Sequence, residues 1–179
     1  MNAEWIVGID PGFTGGLALL HVTDHRAALL RTPTVTVKRG KQTRTEYDAR
    51  AMWSILVAWR LRGIRYAVLE KASTRPGQHA AAVLHTGYGV GLWYGLVTAA
   101  GFGVQWTYPH VWKKHFGLLK QDKRASRLLV QERWPLLGAI GPSLEGPAEG
   151  LLMAEYIRCK EGFNHGIHGN GAEPGAAGI

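Results

Sequence analysis

The sequence predicts an α/β fold: a five-stranded mixed sheet with helices on both faces. Three observations lead there. The first forty residues read as three strands joined by short turns. A helix–strand–helix–strand succession follows, the pattern of parallel crossovers. The chain is 179 residues long and 46% hydrophobic, enough for one domain with a real core and too ordered in composition for a disordered chain.

Residues 4–10, EWIVGID, form a buried strand that stops at the Asp10-Pro11-Gly12 turn signal. Residues 15–22 give a second strand. Residues 27–37 give a third, with β-branched alternation in TVTV. A basic stretch follows, with Lys38, Arg39, Lys41 and Arg44. From Glu46 to Arg62 the spacing of Met52, Ile55, Leu56 and Trp59 predicts a helix, ended by Gly63. Residues 65–70, RYAVLE, form the fourth strand, and the polar segment 71–79 is a loop. Between Pro76 and Trp112 there is no Asp, Glu, Lys or Arg. Histidines, threonines and glycines dilute this run, so a buried helix at about 78–100 is expected rather than a membrane span. Gly87, Gly91 and Gly95 recur every four residues and leave a smooth stripe. Each costs a helix about 1 kcal/mol against Ala, so close packing against the sheet or a second subunit is expected. Residues 104–107 make the fifth strand. Helices are predicted over 109–116 and 122–134, a Gly/Pro-rich connection over 135–146, and a last helix over 147–160. The domain is expected to span 1–160, with 161–179 a disordered Gly-rich tail.

Lys and Arg outnumber Asp and Glu by 21 to 13, a net charge of +8. That balance points to a polyanionic partner, nucleic acid before a membrane surface. The single Cys159 rules out an internal disulfide framework and any Cys₄ or Cys₂His₂ zinc site. With no basic, apolar leader visible, a reducing cytoplasm is the expected compartment. Trp5, Trp53 and Trp93 are expected in the core or an interface; Trp112, beside Lys113, is open between core and base stacking. His165 and His168 are expected to be solvated.

With so few acids, their positions carry information. Asp10 and Glu70 each end an apolar strand, where a buried carboxylate is costly unless a cation or donors meet it. If those strands are adjacent and parallel, both acids share the carboxyl edge of the sheet, where ligand sites of open sheets collect. Glu145 and Glu149 stand four apart and share a face if helical. Carboxylates converging on one point suit an oxygen-ligated Mg²⁺ or Mn²⁺. An acidic metal centre on a basic protein suggests phosphodiester cleavage. An Asp-Pro-Gly turn or a first-turn helix acid is ordinary taken singly; the combination is specific.

Four segments, GIDPGFTGGLALL (8–20), VLE (68–70), YPHVWKKHFGLLKQDKRASR (108–127) and AEGLLMAEY (148–156), resemble RuvC-type Holliday-junction resolvases of the phage and organellar branch, in the family's order, over roughly 5–160. The resemblance implies an RNase H-like fold and a homodimer through the helix at about 78–100. It also implies metal-dependent paired nicking of four-way DNA junctions, with two ions per site. Carried over by motif, Asp10, Glu70 and Glu149 are metal-binding catalytic acids. The branch's further acid falls on Leu144, and the adjacent Glu145 is taken as its replacement. Lys113 is expected at the scissile phosphate, and Lys71, Arg75, Lys113, Lys114, Lys120, Lys123, Arg124 and Arg127 on DNA. Some relatives place an aromatic wedge after the second acid; 71–79 holds none. The rival readings are a junction-binding protein without nuclease activity and an RNase H-like nuclease for RNA or other nucleic-acid structures. A branch-migration partner is not indicated either way.

Overall fold

The computed structural model describes residues 4–71, 77 and 79–161. Arg75, the side chain of Lys123 and residues 162–179 of the expected Gly-rich tail, with His165 and His168, lie outside the described residues; residue 161, expected to open the tail, ends the last helix.

Among the described residues, seven strands and five helices succeed one another: β1 (Trp5–Asp10), β2 (Gly16–His21), β3 (Ala27–Arg31), β4 (Thr34–Arg39), β5 (Gln42–Tyr47), α1 (Ala49–Leu61), β6 (Tyr66–Glu70), α2 (Ala80–Ala99), β7 (Gly103–Thr107), α3 (Pro109–His115), α4 (Lys123–Arg133) and α5 (Glu145–Glu161). Five of the strands form one sheet in the order β3-β2-β1-β6-β7. The β1–β2 and β2–β3 pairs are antiparallel, and β1–β6 and β6–β7 are parallel. The mixed five-stranded sheet with helices on both faces is therefore present as expected.

Two predicted boundaries differ from the structure, for one reason. The third strand does not run on to residue 37, and the first helix does not begin at Glu46. Thr34–Arg39 and Gln42–Tyr47 pair with each other as a separate two-stranded ribbon. The β-branched alternation continues on both sides of Gly40, which takes φ 63° in the two-residue loop. The helix starts only after Asp48, whose carboxylate accepts from the Ala51 amide at 2.9 Å and caps it.

Period-two alternation sends β1 to two cores. Val7 and Ile9 pack with Met52, Leu56, Trp93 and Val97 under α1 and α2. Ile6 packs with Val68, Trp112, Leu151 and Leu152 under α3 and α5. Gly8, on the same face as Ile6, lies against α5 so closely that a Cβ there would overlap the carbonyl oxygen of Gly150. Glycines at both positions let the helix backbone sit directly on the strand.

On α2, the residues turned to the sheet are Gly89, Trp93 and Val97. Gly87, Gly91 and Gly95 face open space instead, so the glycine stripe does not pack against the sheet. Among the described residues no helix is long and apolar enough to cross a membrane.

Candidate active site

Strand register brings the first two acids together. Ile9 of β1 pairs with Leu69 of β6 in parallel register, so Asp10 and Glu70, one residue on, stand side by side at the carboxyl edge of the sheet. By the same alternation both belong to the face carrying Ile6 and Val68, which is the face under α5. The Gly8–Gly150 approach then seats α5 so that Glu149, next to Gly150, borders the same edge.

Asp10 is 8% exposed and Glu149 4%. The Gly12 amide donates to Asp10 Oδ1 at 3.4 Å. The Trp112 indole donates from Nε1 to Glu70 Oε1 at 2.9 Å. Glu149 Oε1 accepts from the Ser126 hydroxyl at 3.3 Å and meets Lys113 Nζ at 2.8 Å. Burial, then the nearby charge of Asp10, pushes the Glu70 carboxyl up to about 7, with Glu149 adding to the rise and Trp112 and Lys113 opposing it. Burial and then Asp10 also push the Tyr47 phenol up to about 12. The charges of Asp10 and Glu149 thus reach Glu70 from elements far apart in sequence.

Neither a family model nor a curated relative matches this chain. Solved structures do, two RuvC structures among them. RuvC of Thermus thermophilus in complex with a Holliday junction substrate matches at 18% identity over 86% of this chain and 94% of that one, with a TM-score of 0.57. A second T. thermophilus RuvC structure matches at 18% identity over 89% and 97%, with a TM-score of 0.52. The chain has the RuvC fold. Its sheet-edge acids and the basic helices after β7 stand within that RNase H-like architecture.

Within the RuvC fold, Glu145 opens α5, and its Oε1 lies 3.6 Å from Arg127 Nε. The carboxylates that raise Glu70 are Asp10 and Glu149; Glu145 is drawn to Arg127 instead. Arg127 also donates to the Ile140 carbonyl at 2.7 Å. It ties α4 to the connection before α5. Lys114, Lys120 and Arg124 are exposed. Lys120 sits in the turn between α3 and α4 with φ 63°. Lys71 is exposed beyond Glu70, its ammonium 5.3 Å from the centre of the Tyr108 ring.

Among the described residues no three His, Cys, Asp or Glu side chains form a ready-made metal cage. The Lys113 ammonium occupies Glu149. The donor set nonetheless fits a hard divalent cation. Every candidate ligand is a carboxylate oxygen, and the repulsion that raises Glu70 is what such a cation relieves.

Two supporting residues are not assigned by sequence reasoning. Trp112 is fully buried and orients Glu70, which decides against base stacking. Ser126 holds Glu149. An indole beside a basic residue in a helix is the available signal for the first. A lone serine offers none for the second.

Proposed function

We propose that this chain is a RuvC-type junction-resolving endonuclease that nicks opposed strands of a four-way DNA junction, leaving 5′-phosphate and 3′-hydroxyl ends. The observation that carries the reading is the pairing of Asp10 and Glu70 at the carboxyl edge of a RuvC-fold sheet, with buried Glu149 bordering them from α5. Asp10, Glu70 and Glu149 would hold the divalent cations, Mg²⁺ or Mn²⁺, two per site by family likeness. When bound, these supply positive charge that stabilises the developing negative charge of phosphoryl transfer.

The chain's own groups do the rest. Trp112 keeps the Glu70 carboxylate turned to the site. Ser126 and Lys113 hold Glu149. The Lys113 side chain keeps 25% exposure, so its ammonium can meet a phosphate drawn to the acids and offset its charge in the transition state. Lys71, Lys114, Lys120 and Arg124 neutralise the backbone on either side.

The outer face of α2 supports a homodimer. Its outer face exposes Leu84 (73%), Tyr88 (58%) and Tyr94 beside the open glycine stripe. A second copy packed there, two-fold related, would place one site on each of two opposed strands. One observation favours a rival. With Glu145 drawn to Arg127 and leucine at 144, the acid set is one short of that branch's pattern, as a junction binder without nuclease activity would be.

A synthetic four-way junction incubated with and without Mg²⁺ separates these readings. Symmetric nicking that needs the metal and is lost in Asp10→Asn supports the nuclease. Binding without nicking supports the rival. Equal cutting of linear duplex or RNA–DNA hybrid would shift the substrate class.

A further inference from the structure

The β4–β5 ribbon has no place in the site described so far. It leaves the body directly beside the first acid. Tyr47 donates from its hydroxyl to the Pro11 carbonyl at 2.9 Å, and Thr32 from its hydroxyl to the Gly12 carbonyl at 2.9 Å. The Tyr47 ring stacks on Phe13 at 4.1 Å, and the Asp48 amide closes the base on the Pro33 carbonyl at 3.0 Å. The ribbon is therefore anchored to the loop that follows Asp10.

Beyond that root it is wet on both faces. Register places Thr34, Thr36, Lys38, Thr43 and Thr45 on one face, and all five are exposed. On the other, Val35 is 39% exposed and Arg44 is exposed as well. Lys41 sits exposed at the tip beside Gly40. The sequence from 34 to 47 holds four cationic residues and one acid, Glu46 at the root. A lone two-stranded ribbon is marginal in water, and beyond the Tyr47 root this one has only the half-buried Val37 and the exposed Val35 to offset that. Four hydroxyls and the Lys38 ammonium on one face, with Lys41 at the tip and Arg44 on the other face, are the kinds of donor that phosphate and sugar contacts use. A two-stranded ribbon is also of a width that a DNA groove accepts.

We propose that the β4–β5 ribbon is an arm that lies along the phosphate backbone of the DNA duplex leading away from the acids; this rests on the nuclease reading above. Six-residue strands at about 3.3 Å per residue reach roughly 20 Å from the root. A strand of duplex advances about 3.4 Å per nucleotide. The tip cations thus meet phosphates about six nucleotides from the nick.

The test is the variant Lys38→Ala/Lys41→Ala/Arg44→Ala, bound to a four-way junction in EDTA over a series of salt concentrations. Hydroxyl-radical footprints are taken on the same complexes. The expected slope of log affinity against log salt falls by about two to three, one for each phosphate no longer neutralised. Affinity at physiological salt falls at least about tenfold, and protection about six nucleotides from the nick disappears while protection at the junction centre stays. Gln at the same three positions gives the same result with less change in strand propensity, should the Ala variant loosen the ribbon. If the parent binds the junction and both variants keep its slope and footprint, the arm is overturned while the nuclease reading stands. If the parent itself binds no junction, the nuclease reading fails first.

Discussion

Glu70→Gln should make the metal-free protein more stable at alkaline pH while abolishing cleavage. In the native state burial and the charges of Asp10 and Glu149 raise the Glu70 carboxyl from 4.5 to about 7. The unfolded chain releases that proton near 4.5, so between 4.5 and about 7 the native state binds more protons than the unfolded one. Stability contributed by this group is therefore full below pH 4.5 and is lost as pH rises through 7. The gap is worth about 3 kcal/mol. Gln carries no charge, and its side-chain oxygen can still accept the Trp112 indole bond. Urea unfolding in EDTA at pH 5, 6, 7 and 8 reads the effect. The difference between variant and parent should grow by about 2.5 kcal/mol in the variant's favour from pH 5 to pH 8, the rest of the gap being lost below pH 5. Added Mg²⁺ should recover the parent at pH 8 and do less for the variant, since a cation that binds only the native state stabilises it. Parallel pH profiles for the two proteins would refute the reasoning, because Glu70 would then not be held among repelling charges.

Three other outcomes are expected. Gly8→Ala should destabilise the fold by about 1–3 kcal/mol by overpacking, measured by urea unfolding, and should lower cleavage further by lifting α5 and Glu149 off β1. Lys113→Ala should reduce the single-turnover cleavage rate more than junction affinity, as for a group acting on transition-state charge; an equal loss in both would make it only a backbone contact. Gly91→Leu, at an exposed helix position with open space around it, should raise the monomer's stability by about 0.5–1 kcal/mol but weaken self-association in sedimentation, and a parent that is monomeric at micromolar concentration would contradict the α2 interface.

Much of the frame is legible in the chain because its signals are local. Strand β1 ends where Asp10-Pro11-Gly12 turns, β6 ends at Glu70, and α4 begins at capping Asp122, whose carboxylate accepts from the Ala125 amide at 3.1 Å. Even the shared face of Asp10 and Glu70 is implied by alternation along each strand, once the strands are known to be parallel neighbours. The ribbon is harder to see, although half of its Thr/Val alternation is plain in the sequence. A basic run with no strand signal of its own hides the second strand, and helical spacing of apolar residues extends back past the Asp48 cap.

The site itself required contacts between distant parts of the chain. Gly8 and Gly150 are ordinary glycines apart; together they allow a helix to rest on a strand and bring Glu149 to the sheet edge. Nothing near Arg127 in sequence shows that it turns inward to Ile140 and draws Glu145 toward itself. Turn chemistry, capping and periodicity act over a few residues, so one strand or helix contains them. Which carboxylates meet depends on how closely two backbones pack, and that is a property of the pair.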